Sequence, residues 1–352
     1  MTLPLTSPPD SLCMLRLSAL GDISHVLPLV RTLQQNWPHT RLSWIIGKRE
    51  YHLVYDIPDI EFIVFDKQAG LRAYQNVRHH LHGRHFDVFL HLQTSLRASL
   101  LSRLVHSPIK LGFDRQNAKD LQWLFTNHQI ACQPRQHVID SFFGFSEALG
   151  IKQKLLRWDI PIPEEARNTL QAHLPAGKPY LVISPCASMA YRNWDARRYA
   201  QVASYANAKF GLAIVLSGGA SEIEHAFGRI ITEHAQCPLT NLIGMTSLKQ
   251  LLALLQAATL VISPDAGTAH LANAVGTPVI GLYATTNPDR ARPYNWPQLV
   301  VNRYPEAVHS KYGKTVEALP WGVRVRDPGT MQRISVAEVT AMLDNVMQIQ
   351  DR

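Results

Sequence analysis

The chain has 352 residues, 46% hydrophobic and 18% charged, which is ample for two ordinary domains. No window approaches the roughly eighteen apolar residues of a membrane-spanning helix, and residues 1–10 lack a basic region followed by an apolar segment, so neither a membrane span nor a secretory leader is expected. A formal net charge of +8 favours anionic partners, but the cations are dispersed and no zinc-finger spacing or aromatic RNA-binding segment accompanies them, which argues against nucleic acid.

In chain order, residues 13–18 form a short apolar run read as a strand. Residues 26–36 have helical periodicity and end before Pro38. Strands are expected at 41–46 and 62–65, a helix at 71–82, a strand at 86–90, and a helix at 96–105 with basic residues outward. Two proline-rich stretches, 158–163 and 174–179, bracket a short helical segment and read as a hinge. The alternation then restarts: strand 180–184, helix 195–209, strand 212–216, a helix from about Ser221, helix 247–257, and strands 260–262 and 279–283. A final helix, 335–348, opens with a Ser335-x-x-Glu338 capping box. Alternating strands and helices specify doubly wound parallel sheets. The expected architecture is α/β, with two Rossmann-like domains, 1–165 and 166–334, facing a central cleft. Residues 335–352 form a terminal helix, for which a return to the first domain is one placement. The four cysteines are far apart, show no metal-ligand spacing, and read as reduced thiols.

Four segments carry polar residues where ligands of such sheets bind, beyond the carboxyl ends of the strands. The first is Leu17-Ser-Ala-Leu-Gly-Asp-Ile-Ser-His25, where Gly21 is read as a tight turn before a helix. Asp22 is either an N-cap or a catalytic acid/base; residue types alone weigh the two equally. His25 lines the same rim or sits on the surface. The second is Ser184-Pro-Cys-Ala-Ser-Met-Ala-Tyr-Arg-Asn-Trp194, in which Ser188 offers a hydroxyl and Arg192 either a fork for phosphate or a solvated charge. The third is Ser217-Gly-Gly-Ala-Ser-Glu-Ile-Glu224. Its glycines let the backbone approach a ligand, and Glu222 or Glu224 is a candidate for a ribose diol or for a helix N-terminus. Thr246, before another helix, is a further candidate.

The fourth is Ser263-Pro-Asp-Ala-Gly-Thr-Ala-His270, after the strand at 260–262. Asp265, Ala266, Gly267 and His270 meet there at a helix start, whose free N–H groups and dipole favour an anion, usually phosphate. No Gly-x-Gly-x-x-Gly follows a strand and no Gly-Lys-Ser/Thr loop occurs, so a nicotinamide or flavin dehydrogenase and a P-loop ATPase are not expected. No Asp-x-Asp occurs either, so protein groups rather than a metal are expected to neutralise a diphosphate.

Taken together, the motifs resemble the lipopolysaccharide heptosyltransferases of glycosyltransferase family 9. The resemblance spans nearly the whole chain. It rests on Ser-Ala-Leu-Gly-Asp22, Ser-Gly-Gly-x-x-Glu222, Asp265-Ala-Gly-Thr-Ala-His270, Gly276-Thr-Pro and Gly281-Leu-Tyr in that order, with Gly112-Phe-Asp-Arg-Gln-Asn-Ala-Lys119 similar to the acceptor-side segment. Within the family the chain is most similar to the OpsX-type subgroup, heptosyltransferase I, which adds the first heptose to a phosphorylated Kdo. The resemblance implies a GT-B fold, ADP-heptose as donor and a Kdo-lipid A acceptor. It implies no tightly bound cofactor or obligatory metal. Asp22 would be the base. Ser188, Arg192, Glu222, Thr246, Asp265, Ala266, Gly267 and His270 would hold the donor. Arg97, Arg115 and Lys119 would hold the anionic acceptor. It implies a cytoplasmic protein, peripheral on the anionic inner face of the inner membrane. Three departures touch the donor site: Ala187 precedes Ser188 where a second hydroxyl residue is usual, Arg192 stands where lysine is common, and Ala266 replaces threonine. Transfer of a later core heptose or a hexose, and a nucleotide-sugar or glycan binder without turnover, remain open alternatives.

Overall fold

A computed structural model describes residues 3–174 and 177–350, the last two through their backbone alone. The chain divides into two compact units, 1–161 and 162–352. The division falls inside the first proline-rich stretch, four residues before the boundary expected at 165. The preceding residues belong to the first unit. The Trp158 indole is buried and donates to the Ser24 carbonyl at 2.9 Å. Arg31 Nε donates to the Trp158 carbonyl at 3.1 Å.

The first unit runs β1 (Ser11–Leu15), α1 (Leu20–Asn36), β2 (Arg41–Gly47), α2 (Lys48–Val54), β3 (Ile60–Phe65), α3 (Leu71–Leu81), β4 (Val88–His91), α4 (Leu96–Ser102), β5 (Ile109–Gly112), β6 (His128–Gln129) and α5 (Val138–Leu149). Its six strands are all parallel, in the order β3-β2-β1-β4-β5-β6. β1 and β4 are buried at every residue, as expected of strands covered on both faces. α2, β5, β6 and α5 had no expectation from the sequence.

The second unit runs α6 (Glu164–Gln171), β7 (Tyr180–Ile183), α7 (Ala196–Phe210), β8 (Ala213–Leu216), α8 (Glu222–His234), β9 (Leu239–Asn241), α9 (Leu248–Ala257), β10 (Leu260–Pro264), α10 (Gly267–Ala274), β11 (Val279–Tyr283), α11 (Pro288–Ala291), β12 (Val300–Asn302), α12 (Tyr304–Tyr312) and α13 (Val336–Gln350). Its sheet is again all parallel, in the order β12-β11-β10-β7-β8-β9. Numbered within each unit, both sheets read 3-2-1-4-5-6, the Rossmann order. The topology is therefore duplicated although no sequence repeat is visible.

The final helix packs on the second unit. Val339, Leu343 and Val346 join that unit's core, and Asp344 accepts from Tyr205 Oη at 2.8 Å and pairs with Lys209 at 2.9 Å, both on α7. A second difference concerns α1, which begins at Leu20, six residues before its expected start. Gly21 is a buried helical residue and not a turn. The apolar periodicity is weak over Gly21, Asp22 and Ser24, which masks the first turn.

Candidate active site

In a 3-2-1-4-5-6 sheet the chain leaves strands 1 and 4 in opposite directions, which opens a crevice at their carboxyl ends. In the first unit those strands are β1 and β4. The residues after β1 are tied to that point. Arg16 donates to the Leu92 carbonyl at 2.6 Å and to the Ser18 carbonyl at 2.8 Å, and the Leu17 N–H donates to Gln93 at 2.7 Å. The Ser18–Ala19 peptide bond is cis.

Asp22 is the third residue of α1. It is not the N-cap, which is Ala19. Its Oδ2 accepts from the Ala19 N–H at 3.2 Å and pairs with Arg16 Nη2 at 2.5 Å. Among the described residues Oδ1 has no partner, and the side chain keeps 40% exposure against 11% for Arg16. The carboxylate is thus oriented through one oxygen and open at the other, the arrangement a general base needs. His25, read as a rim or surface residue, is buried, with its ring edge-on to His137 at 5.9 Å between centroids.

Two residues that sequence reasoning missed lie at the end of β4. His91 is fully buried, and burial pushes its pKa down to about 3, so the ring is neutral. Gln122 Nε2 contacts His91 Nδ1 at 3.1 Å and donates to the His91 carbonyl at 2.8 Å, while its Oε1 accepts from the Phe113 N–H at 3.2 Å. No motif connects residues 31 positions apart in this way. The short 3-10 turn Gln122–Phe125 that presents Gln122 packs against α4.

The three acceptor candidates surround that turn. Arg97 is exposed on α4, and Arg115 and Lys119 are exposed in the loop after β5. The Arg115 guanidinium stands 5.1 Å from the Trp123 ring centroid. Leu96, Leu100, Leu121, Trp123 and Leu124 are all exposed on the same two elements.

In the second unit the crevice strands are β7 and β10. The structure brings Arg192, Asp265 and His270 together there. Arg192 Nη1 lies 3.2 Å from Asp265 Oδ2 and donates to the Asp265 carbonyl at 3.1 Å, and His270 Nε2 lies 3.6 Å from Asp265 Oδ1. Arg192 is therefore held in place by Asp265 and is not a solvated charge. Asp265 is only 8% exposed. Burial pushes its pKa up, but the His270 hydrogen bond and the Arg192 charge outweigh that and hold it below the usual carboxylate value. Ala266 is the N-cap of α10 and Gly267 its first residue. Alanine provides no side-chain acceptor there; the Ala269 N–H donates to the Ala266 carbonyl at 3.2 Å, and the N–H groups of Gly267 and Thr268 are the ones an anion could use.

The remaining donor candidates lie on neighbouring loops of the same carboxyl edge. Ser188 is exposed on the β7 loop, which is held by the Ala187 N–H donating to Asn193 Oδ1 at 2.8 Å. Thr246 is half-buried just before Ser247, the N-cap of α9. Glu222 is the exposed first residue of α8. Glu224 is engaged otherwise: it accepts from the Gly219 N–H and the Ser221 hydroxyl, each at 2.6 Å. A Cβ on Gly219 would sit 2.9 Å from Glu224 Oε2, so this glycine makes room for the capping carboxylate where close ligand approach was expected. No group of three His, Cys, Asp or Glu side chains among the described residues is arranged to hold a metal ion.

The donor-side and acceptor-side positions, though not Asp22, fall within a match to the glycosyltransferase family 9 (heptosyltransferase) model over residues 74–319. The chain belongs to that family. It is similar to the lipopolysaccharide core heptosyltransferase OpsX of Haemophilus influenzae, at 36% identity over 96% of this chain and 97% of that one. It is also similar to lipopolysaccharide heptosyltransferase 1 of Escherichia coli K12, at 24% over 82% of this chain and 92% of the relative. Among solved structures, a family 9 glycosyl transferase from Veillonella parvula aligns with a TM-score of 0.81 at 20% identity, covering 98% of this chain and 99% of that one. The E. coli heptosyltransferase WaaC with ADP aligns at 0.71 and 20% identity, covering 96% and 99%. The GT-B assignment and the glycosyltransferase activity expected from the motifs are thereby borne out.

Proposed function

We propose that this family 9 enzyme transfers heptose from ADP-heptose to a phosphorylated Kdo of the lipopolysaccharide or lipooligosaccharide inner core, with inversion. The alignment to the Haemophilus influenzae core heptosyltransferase over nearly the whole of both chains is the observation that carries it. In the step, Asp22 Oδ1 takes the proton of an acceptor hydroxyl as that oxygen bonds to the anomeric carbon of the donor. The bond from that carbon to the diphosphate oxygen breaks, ADP leaves with the electron pair, and the configuration inverts. The α10 N-terminus and Arg192 face the charge that develops on the leaving group. Asp265 and His270 position Arg192. Glu222, Ser188 and Thr246 are proposed to hold donor hydroxyl and phosphate groups.

On the acceptor side, Arg97, Arg115 and Lys119 are proposed to bind the phosphorylated sugar. The apolar residues beside them suit the surface of an anionic bilayer, since apolar contact plus several cations gives reversible peripheral binding. No helix among the described residues is long and apolar enough to cross a membrane. The proposed place of action is the cytoplasmic face of the inner membrane.

Purified protein assayed with ADP-heptose or UDP-glucose, on Kdo-lipid A with and without a Kdo phosphate, tests this reading. The expected result is ADP release with one heptose added to the phosphorylated acceptor. Preference for UDP-glucose, or for an acceptor already bearing heptose, would replace it with a later core transfer. Binding of ADP-heptose with no ADP release on any acceptor would leave a non-catalytic binder.

A further inference from the structure

A nucleoside diphosphate sugar carries two negative charges on its diphosphate. Arg192 brings no net charge to meet them, because Asp265 stands 3.2 Å away and the two side chains are only 14% and 11% exposed. The pair is neutral as a unit, and a helix N-terminus supplies only about half a charge. Cations without a carboxylate partner are therefore needed at the same edge of the sheet.

Two arginines meet that requirement. Val325 is buried, and its N–H donates to the Thr285 carbonyl at 2.9 Å. Arg324 pairs in an antiparallel bridge with Thr286, and the Tyr304 hydroxyl donates to the Val323 carbonyl at 2.9 Å. These contacts fasten the segment against the loop that follows β11. Alternation along an extended stretch puts Arg324 and Arg326 on the face opposite Val325, and both are exposed. Among the described residues neither forms an ion pair, whereas the adjacent Asp327 is taken by Lys311 at 2.6 Å. Tyr191 links them to Arg192: the Arg326 and Arg192 guanidinium carbons each lie 5.8 Å from its ring centroid. Burial raises the Tyr191 pKa, but Arg192 and Arg324 outweigh it and lower the net value. Four buried polar groups nearby have no partner among the described residues: the donors Arg192 Nε and Asn287 Nδ2 and the hydroxyls of Tyr191 and Thr286. Every one of these groups can donate, and two unpaired guanidinium groups stand beside them, a combination that suits an anion.

We propose that Arg324 and Arg326, docked at Tyr191, bind the diphosphate of the nucleotide donor and supply the net positive charge that the Arg192–Asp265 pair does not. This rests on the reading that the donor is an ADP-sugar.

Calorimetric titration of the full chain with ADP, inorganic pyrophosphate and adenosine tests it. In Arg324→Gln and Arg326→Gln the ADP and pyrophosphate affinities should each fall about tenfold, and about a hundredfold in the double variant, since each loses a charge-assisted contact. Adenosine affinity should stay within about twofold, which also shows that the variants are folded. The charge-keeping variants Arg324→Lys and Arg326→Lys should recover most of the loss. If wild type binds ADP and the double variant binds ADP and pyrophosphate as well as wild type does, the inference is wrong and the ADP-sugar reading stands. If wild type binds neither ADP nor pyrophosphate, both are wrong. An equal loss for adenosine would also overturn the inference, because the arginines would then be acting through the fold.

Discussion

The two units share one strand order and place a carboxylate at the same edge of the sheet, yet Asp22 and Asp265 live in opposite surroundings. Asp22 keeps 40% of its side chain exposed and leaves Oδ1 unclaimed. Asp265 is shielded and committed to Arg192 and His270. Environment divides the work between chemically identical groups: an accessible oxygen can take a proton, while an enclosed carboxylate can only hold its neighbours in place.

That division can be broken most severely at Asp22. Asp22→Asn keeps size and the contact with Arg16 but removes the base, and turnover should fall about 100-fold or more. ADP affinity, measured by calorimetry, should stay unchanged. At Asp265 the dominant effect should be on stability. Asp265→Ala leaves Arg192 beside an empty site, with a cost of about 3 kcal/mol, read from urea unfolding. The folded carboxyl titrates below its unfolded value of about 3.9. Its contribution is therefore complete above that pH and is lost as pH falls through the folded pKa. The difference in unfolding free energy between wild type and Asp265→Ala should shrink only below about pH 4.

His91 sharpens the comparison from another direction, because it is buried without any charged partner of opposite sign. Its folded pKa of about 3 lies below its ordinary 6.5, so between those values the unfolded chain binds the extra proton. Stability should fall on acidification across that window by up to about 1.4 kcal/mol per pH unit. His91→Gln should flatten the slope there, a readout distinct from that of Asp265, whose window lies lower. The smallest effects belong to the two glutamates in the first turn of α8. Glu224→Gln should cost about 1 kcal/mol or less of stability through the capping box and leave ADP-heptose affinity unchanged. Glu222→Gln should leave stability unchanged and weaken ADP-heptose a few-fold.

The doubly wound parallel class and the motif-bearing loops were legible because buried parallel strands are continuous apolar runs and helix caps carry their own residue signals, while the strand order was not. The Ser335–Glu338 box caps its helix as read, and Ser221 and Ser247 cap the helices expected to begin at them. The start of α1 was hidden because polar and small residues fill its first turn. Position pointed to Asp22 and Asp265, and to Arg192 and His270 beside the latter, but Arg16, the partner of Asp22, was not legible. Gln122 and Arg324 meet His91 and Tyr191 through tertiary contacts, and no spacing rule connects either pair. The Gly218–Gly219 pair misled for a similar reason: glycine marks close approach, but only the fold shows that the approaching group is Glu224.

The division between the two carboxylates is tested most directly by single-turnover transfer at saturating ADP-heptose, with Asp22→Asn and Asp265→Asn compared under one set of conditions. Asp22→Asn should remain slow however much donor is added, while Asp265→Asn should recover most of the wild-type rate once the donor site is filled. A near wild-type rate for Asp22→Asn, or a rate for Asp265→Asn that stays equally low at saturation, would contradict the assignment of chemistry to the first unit and donor positioning to the second.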